Sequence, residues 1–318
     1  MNLRIGSRGS QLALWQANHI AALLRGQGHT VEIEIIKTTG DHLQEVTFAQ
    51  VGSKGMFTKE IEEALADGRV DLAVHSLKDL PTELPPEFAL AATPPRVDPR
   101  DVLVSVKYGS LAILPQSAVV GTSSQRRRAQ LQSIRPDIVA VEFRGNVDTR
   151  LRKLGEGQVD AILLAAAGLD RLERTEWVRE RLEPKDFCPA AGQGSLGIES
   201  RRNDLSTIEA LAFLDDRATR YAVTAERIAL AVLGGGCQVP IGVHCRQTLR
   251  GNQLGADVEI FGVVASPVTG EAVRIHHEAR TSETDAAALG RIAAQKLIEA
   301  GAGALLEVAA QPPAGASA

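Results

Sequence analysis

Apolar and polar positions in the first 190 residues form strand patterns that alternate with helical ones. Val31 to Lys37 sets Val and Ile between Glu residues, which is typical of a half-exposed strand. The helix before it begins near Ser10, whose side chain can cap it, and ends at Gly26 and Gly28. Because this alternation resumes after residue 100, the pattern predicts parallel strands covered by helices.

Residues 38–56 interrupt this order because they show no period, and we predict a long loop there. In the first 190 residues the predicted strands are Leu3–Ser7, Val31–Lys37, Val70–His75, 101–106, 118–121, 138–143 and 159–164. The predicted helices are Ser10–Arg25, Phe57–Ala66, 123–134, 146–154 and 166–173.

The last part of the chain follows a different order, a β-meander and then a helix, which predicts a separate α+β domain. A strand at Leu196–Ser200 and helices at 204–214 and Tyr221–Leu233 come first. Strands near 241–246, 257–265 and 271–279 and a helix at 284–300 follow.

Two stretches of the chain resemble each other. Leu65–Val74 and Leu154–Leu163 both contain a helix end, a glycine stop, Val-Asp and an apolar strand. Either two α/β units share the same helix-to-strand punctuation, or the protein has two similar lobes with a ligand cleft between them.

Composition narrows the class of protein. A chain of 318 residues corresponds to about two domains, with three possible. It is 44% hydrophobic and only 3% aromatic, so we expect folded domains with aliphatic cores. The formal net charge of −4 excludes a generic nucleic-acid coat or a basic membrane-surface protein.

Three features of the sequence bear on the cellular compartment of the protein. No run of about 18 apolar residues occurs, so we expect no membrane span. The N-terminal residues have no apolar signal core, and three cysteines are too few for a disulfide framework. These features predict a reduced, cytoplasmic protein.

Basic residues cluster at strand-to-helix turns. Residues 121–153 hold eight basic and three acidic side chains. Ser124 precedes the arginines 126–128, Arg144 and Arg150 flank Asn146, and Arg8 precedes Ser10. Turns of this kind at the carboxyl ends of strands bind anions, although an arginine run on its own can also be a solvated helix face.

Another strand end carries Lys78 and Asp79. Such a carboxylate can exchange protons or stabilise a developing cation, and the alternative is an Asp that only forms the turn before Pro81. Lys54 and Lys59 lie in or beside the long loop, where they either close over an anion or are simply solvated.

Glycine-rich segments offer two further interpretations. Gly192–Gly197 spells G-x-G-x-x-G, but a strand follows it where a dinucleotide site needs a helix. Cys237 lies between three glycines and Pro240, which favours an exposed, reactive thiol, whereas Cys245 in an apolar strand is typical of a structural residue. A zinc site from Cys237, His244 and Cys245 lacks the spacing of paired ligands, and no metal is expected.

Seven segments together resemble the porphobilinogen deaminase (hydroxymethylbilane synthase) family. They follow the family's order and span nearly the whole chain. The segments are Arg8–Gln16, Gly52–Phe57, His75–Asp79, Gly121–Arg127, Arg144–Arg150, Ala190–Gly194 and Gly235–Pro240.

The resemblance implies an α/β fold with two lobes of the periplasmic-binding-protein type, each with a doubly wound mixed sheet, and a small C-terminal α+β domain. The boundaries we predict are 1–94 with 195–214 for a discontinuous lobe 1, 100–189 for lobe 2, 217–310 for the C-terminal cofactor-attachment domain and 311–318 for a loose tail.

The resemblance also implies a reaction. Four porphobilinogen molecules condense head to tail on a dipyrromethane cofactor that is thioether-linked to Cys237, ammonia is lost, and hydrolysis releases linear hydroxymethylbilane for heme biosynthesis. The implied partner is the small substrate, without nucleic acid or membrane, and we expect a monomer.

The resemblance assigns residue roles in four groups. Asp79 is catalytic. Cys237, Lys78, Ser124, Arg126 and Arg127 bind the cofactor. Arg8, Ser10, Gln16, Arg144, Asn146, Arg150, Arg171 and Gln193 bind substrate. Lys54, Phe57 and Lys59 form a lid.

Two other function classes compete with this interpretation. A non-catalytic anion-binding module with the same lobes would carry no covalent adduct and would not need Cys237. A nicotinamide-dependent reductase rests only on the glycine string and would require nucleotide binding.

Overall fold

A computed structural model of the chain describes residues 1–39, 58–235, 239–250 and 253–310. Most of the predicted loop 38–56 lies outside these residues, since 40–56 are not among them. The same holds for the lid residues Lys54 and Phe57, the cofactor residue Cys237 and the tail 311–318.

The chain divides into two compact units, and each is made of separate stretches of sequence. Unit 1 comprises Met1–Pro99, Ala167–Arg174 and Gly192–Arg220. Unit 2 comprises Arg100–Ala166, Thr175–Ala191 and the chain from Tyr221 onward. The three domains and their boundaries stay a prediction.

Unit 1 contains a five-stranded sheet of order β2-β1-β3-β10-β4. The strands are β1 (Asn2–Ser7), β2 (Thr30–Ile35), β3 (Leu72–Ser76), β4 (Phe88–Ala92) and β10 (Leu196–Arg201). β1 runs parallel to β2 and β3, whereas β10 is antiparallel to β3 and β4. The helices of this part are α1 (Gln11–Gly26), α2 (Lys59–Ala66) and α6 (Leu205–Leu211).

Unit 2 contains a five-stranded sheet of order β7-β6-β8-β5-β9. The strands are β5 (Asp101–Val104), β6 (Val119–Gly121), β7 (Val139–Val141), β8 (Ala161–Ala165) and β9 (Val178–Leu182). β6 runs parallel to β7 and β8, and β5 is antiparallel to β8 and β9. The helices are α3 (Gln125–Ile134) and α4 (Val147–Gly155). α5 (Ala166–Arg171) follows β8, and its residues from Ala167 onward belong to unit 1.

A second sheet of unit 2 has three antiparallel strands in the order β11-β12-β13. These are β11 (Ile241–Arg250), β12 (Gln253–Ala265) and β13 (Ala272–Arg280). The remaining helices are α7 (Arg217–Val232), α8 (Ala286–Glu299) and α9 (Ala302–Ala310). The predicted α/β class with two mixed sheets and a smaller C-terminal α+β part is confirmed.

The two five-stranded sheets repeat one design, with three parallel strands and an antiparallel strand in fourth place. The similar segments Leu65–Val74 and Leu154–Leu163 have the same role in the two sheets. The Asp71 carboxylate accepts a hydrogen bond from the Arg4 N–H at 2.9 Å, and the Asp160 carboxylate accepts one from the Val119 N–H at 2.8 Å. Each carboxylate therefore anchors the start of its own strand to the strand beside it.

The expectation of parallel strands is wrong for β5. This strand is the fourth of its sheet and, like β10 in the sheet of unit 1, runs opposite to the parallel strand beside it. Local periodicity does not carry strand direction, because direction depends on the connections between strands.

Among the residues that the structure describes, two strands and one α-helix are not predicted by the pattern. β4 lies between proline pairs, and β9 alternates apolar with charged residues; both are edge strands, which pairing with a neighbour stabilises. The third is α9, which follows Gly301 at the end of α8. In the part of the chain that the structure describes, no helix has both the length and the apolar character to cross a bilayer.

The turn at Gly192–Gly194 packs closely inside unit 1. Gly192 and Gly194 have positive φ values of 74° and 88°, which favour glycine. A Cβ atom on Gly194 would lie 2.6 Å from the carbonyl oxygen of Val97, and one on Gly192 would lie 3.1 Å from Leu77. The turn therefore packs against Leu77, the residue before Lys78, and against Val97.

We predict that Gly194→Ala lowers the free energy of unfolding by about 1–3 kcal/mol, because the alanine adopts a strained φ and meets backbone atoms. Thermal denaturation followed by circular dichroism measures the loss. The control is Gly26→Ala at the end of α1, where a Cβ meets nothing within 4 Å. Equal midpoints for the two variants would contradict the tight fit of this turn.

Candidate functional site

In unit 1, Lys78 and Asp79 lie in a short 3-10 turn directly after β3. The Lys78 ammonium donates a hydrogen bond to the side-chain oxygen of Gln193 at 3.4 Å. The Asp79 side chain is exposed, and it has no side-chain hydrogen bond or ion pair to any residue that the structure describes. The carboxylate is thus open to a ligand while the turn beneath it is held.

The start of α1 lies at the same edge of the sheet, because β1 and β3 are parallel neighbours. Ser10 caps α1 by accepting a hydrogen bond from the Ala13 N–H at 3.3 Å. The buried amide of Gln16 donates to the Ser76 hydroxyl at 2.8 Å, which ties α1 to the end of β3. Arg8 is half-buried in the turn between β1 and α1.

Gln193 is fully buried and joins several segments of unit 1. Its side-chain amide donates to the Pro99 carbonyl at 2.7 Å, and its own carbonyl accepts from Arg96 at 2.8 Å. One residue on, the Gly194 carbonyl accepts from Arg171 at 2.9 Å. Gln193 therefore links Lys78 with the 97–99 segment, and Arg171 binds beside it.

Arg171 is a buried cation, only 8% exposed. Burial lowers the pKa of its guanidinium to about 10, and the charge of Asp170 opposes that shift. Lys59, by contrast, is exposed at the start of α2 and lies 3.9 Å from Glu63 in an ion pair that contributes little.

In unit 2, Arg126 and Arg127 in the first turn of α3 share the carboxylate of Asp101. Arg126 binds both carboxylate oxygens at 2.6 and 3.1 Å, and the Arg127 Nε donates at 2.8 Å. All three side chains are buried, and Asp101 is fully so. Ser124 caps the helix by accepting from the Arg127 N–H at 3.4 Å.

Asp101 is the residue that sequence reasoning missed. It begins the apolar strand β5 shortly after Pro94, Pro95 and Pro99, and a carboxylate at the start of a buried strand needs a cationic partner. The arginine run 126–128 is the feature of the sequence that indicates this cationic partner. The trio of Asp101, Arg126 and Arg127 carries a net positive charge when all three are ionised, so it still attracts an anion.

The second basic turn of unit 2 lies between β7 and α4. Asn146 caps α4 by accepting from the Thr149 N–H at 2.9 Å. Arg150 donates to the Gly145 carbonyl at 2.7 Å, and Arg144 pairs with Glu142 at 2.6 Å. β6 and β7 are parallel neighbours, so this turn and the Ser124 turn share one edge of the sheet.

The structure thus brings the predicted residues together in two groups. Lys78, Asp79, Gln16, Arg171 and Gln193 are connected within unit 1, and Ser124, Arg126 and Arg127 within unit 2. Both cysteines in the described chain, Cys188 and Cys245, are buried, and burial raises the pKa of Cys188 to about 12. Neither thiol is placed to react.

We predict that Asp101→Asn lowers the free energy of unfolding by about 3 kcal/mol, because it leaves two buried guanidinium groups without their carboxylate. Urea denaturation measures the change. The control is Glu183→Gln, which removes a half-exposed ion pair to Arg100 and should change stability little. Equal denaturation midpoints in the two variants would show that Asp101 does not stabilise the arginines.

Two protein-family models match this chain. The family described as "Porphobilinogen deaminase, dipyromethane cofactor binding domain" matches residues 3–209, and "Porphobilinogen deaminase, C-terminal domain" matches residues 220–299. Among solved structures, the BvgS periplasmic VFT2 domain of Bordetella pertussis aligns with a TM-score of 0.41 and 14% identity, covering 66% of this chain and 85% of that chain.

Curated relatives match over nearly the full length. A porphobilinogen deaminase of Nitratidesulfovibrio vulgaris (strain DSM 19637 / Miyazaki F) is 48% identical over 310 residues, which is 96% of either chain. One of Roseiflexus castenholzii (strain DSM 13941 / HLO8) is 49% identical over 307 residues, covering 96% of this chain and 98% of that protein. The chain therefore belongs to the porphobilinogen deaminase family.

Proposed function

We propose how this chain performs the reaction of its family, the polymerisation of porphobilinogen into hydroxymethylbilane. Four substrate molecules are joined head to tail, each step releases ammonia, and hydrolysis frees the linear tetrapyrrole. The observation that carries the proposal is the exposed carboxylate of Asp79, which lies at the carboxyl end of β3 beside Lys78.

The residues of α3 fit a dipyrromethane cofactor, because its pyrrole rings carry carboxylates. Ser124, Arg126 and Arg127 offer a hydroxyl and two guanidinium groups at one helix start, and Lys78 adds an ammonium. When bound, the cofactor supplies the pyrrole carbon to which the first substrate ring is joined. The net positive charge around Asp101 favours this ligand.

Cys237 is the proposed attachment point of the cofactor through a thioether. Cys188 and Cys245 are each 1% exposed, and burial keeps the Cys188 thiol protonated, which supports neither as the nucleophile. Cys237 is the third cysteine of the chain and lies outside the described residues.

Substrate carboxylates are the proposed partners of Arg8, Arg144, Arg150 and Arg171. Each pyrrole carries an acetate and a propionate, and guanidinium groups stay charged while they bind them. The proposed substrate site also includes Ser10, Gln16, Asn146 and Gln193. Each of these side chains forms a hydrogen bond that holds a neighbouring turn. Lys54, Phe57 and Lys59 are the proposed lid.

Asp79 is the proposed catalytic residue. When the C–N bond of the substrate's aminomethyl group breaks and ammonia leaves, positive charge spreads into the pyrrole ring. An ionised carboxylate accepts the pyrrole N–H and stabilises that charge. The attacking pyrrole carbon then loses its proton, which balances the proton taken up by the departing amine. The cytoplasmic location and the monomeric state stay predictions from the sequence.

A solute-binding module is the second candidate, since unbalanced positive charge at strand ends also suits reversible capture of an anion. This second candidate predicts that the purified protein has the mass of the unmodified chain, with no covalent addition.

We predict that the purified protein is heavier than its 318-residue chain and that Cys237→Ala has the bare mass and no activity. Intact-protein mass spectrometry measures this. The matched control is Cys245→Ala, which should keep the added mass. A bare mass in active protein would overturn the covalent cofactor.

We predict that Asp79→Asn keeps the added mass and loses turnover by a factor of about 10² or more, because the amide cannot stabilise the cation. Formation of hydroxymethylbilane from porphobilinogen is the readout. Asp67→Asn, at the exposed end of α2, is the control with ordinary activity. Near-normal turnover in Asp79→Asn would remove this residue from the mechanism.

A further inference from the structure

Arg171 lacks a counter-ion in the part of the chain that the structure describes. No carboxylate of those residues lies within ion-pair distance of its guanidinium, and Asp170 acts on it only at longer range. Its hydrogen bond to the Gly194 carbonyl uses one Nη2 donor. A buried cation in this state is costly unless another group stabilises it.

Trp15 on α1 provides that group. The Arg171 Cζ lies 5.9 Å from the centroid of the Trp15 ring, over its face, within the range of a cation–π contact. The Trp15 ring also stacks on His19, one turn further along α1, with centroids 5.1 Å apart and planes 11° apart. The stack limits the tilt of the indole ring.

The chemistry of this contact differs from that of an ion pair. A carboxylate would neutralise Arg171 and occupy its in-plane N–H donors. An aromatic face stabilises the charge from above the plane and leaves those donors available. Trp15 is 36% exposed, so the contact lies where a dissolved ligand can reach its edge.

The neighbours of the pair are the proposed substrate residues. Gln16 follows Trp15 in α1 and binds Ser76, two residues before Lys78. On its other side, Arg171 is fixed to Gly194, next to Gln193. Trp15 and Gly194 therefore hold the guanidinium from two segments of unit 1.

We propose that Trp15 is a positioning residue, which orients the Arg171 guanidinium toward a carboxylate of the incoming pyrrole. This inference rests on the proposed function and adds to it a residue of α1 that sets affinity for substrate.

A kinetic comparison tests the proposal. Trp15→Leu should raise the KM for porphobilinogen about three- to tenfold with little change in kcat, because the charge of Arg171 remains but its orientation is lost. Trp15→Phe keeps an aromatic face and should recover most of the affinity. The matched control is Trp177→Phe in unit 2, with unchanged KM. A lowered melting temperature with equal loss in both Trp15 variants would indicate a merely structural role and overturn the proposal.

Fluorescence tests the contact without turnover. The chain has two tryptophans, so Trp177→Phe leaves Trp15 as the only indole. The probe is a pyrrole with an acetate and a propionate but no aminomethyl group, which cannot lose ammonia. It should change Trp15 emission saturably, and Arg171→Gln in the same background should abolish the change. An unaltered response in the Arg171 variant, or none in either protein, would overturn the inference. Failure of the unmutated chain to form hydroxymethylbilane would instead overturn the proposed function itself.

Discussion

The buried carboxylate of Asp101 is the interaction on which the architecture of unit 2 depends. It binds Arg126 and Arg127 in the first turn of α3, and Arg126 also donates to the Cys188 carbonyl at 2.6 Å. One charged group thereby joins β5, α3 and the Cys188 segment. Two guanidinium groups at a helix start oppose the helix dipole, and the carboxylate offsets that cost while a positive charge remains for a ligand.

The same principle operates in unit 1 by other means. Arg171 is held by a backbone carbonyl and an indole face rather than by a carboxylate. Gln193 joins Lys78 to the 97–99 segment through hydrogen bonds of its uncharged side-chain amide. In both units the protein keeps cations fixed without fully neutralising them, which a ligand with many carboxylates requires.

Much of the fold could be predicted because its signals are local. The Ser10 and Asn146 caps, the Val-Asp repeat and the basic turns after parallel strands all follow from short-range pattern. Asp101 could not be predicted in this way, because its partners are 25 and 26 residues away and strand β5 is antiparallel to its neighbours. The roles of Arg126 and Arg127 likewise stay predictions, since their side chains already bind a carboxylate that the pattern did not reveal.

The sequence by itself determined the family, most of the strands and helices, and the residue types available at each strand end, because motifs and periodicity are properties of adjacent residues. Only the tertiary structure decided which cations are paired. Whether Arg127 meets Asp101 or Arg171 meets Trp15 depends on contacts between distant segments, and burial then sets how strongly each charge acts.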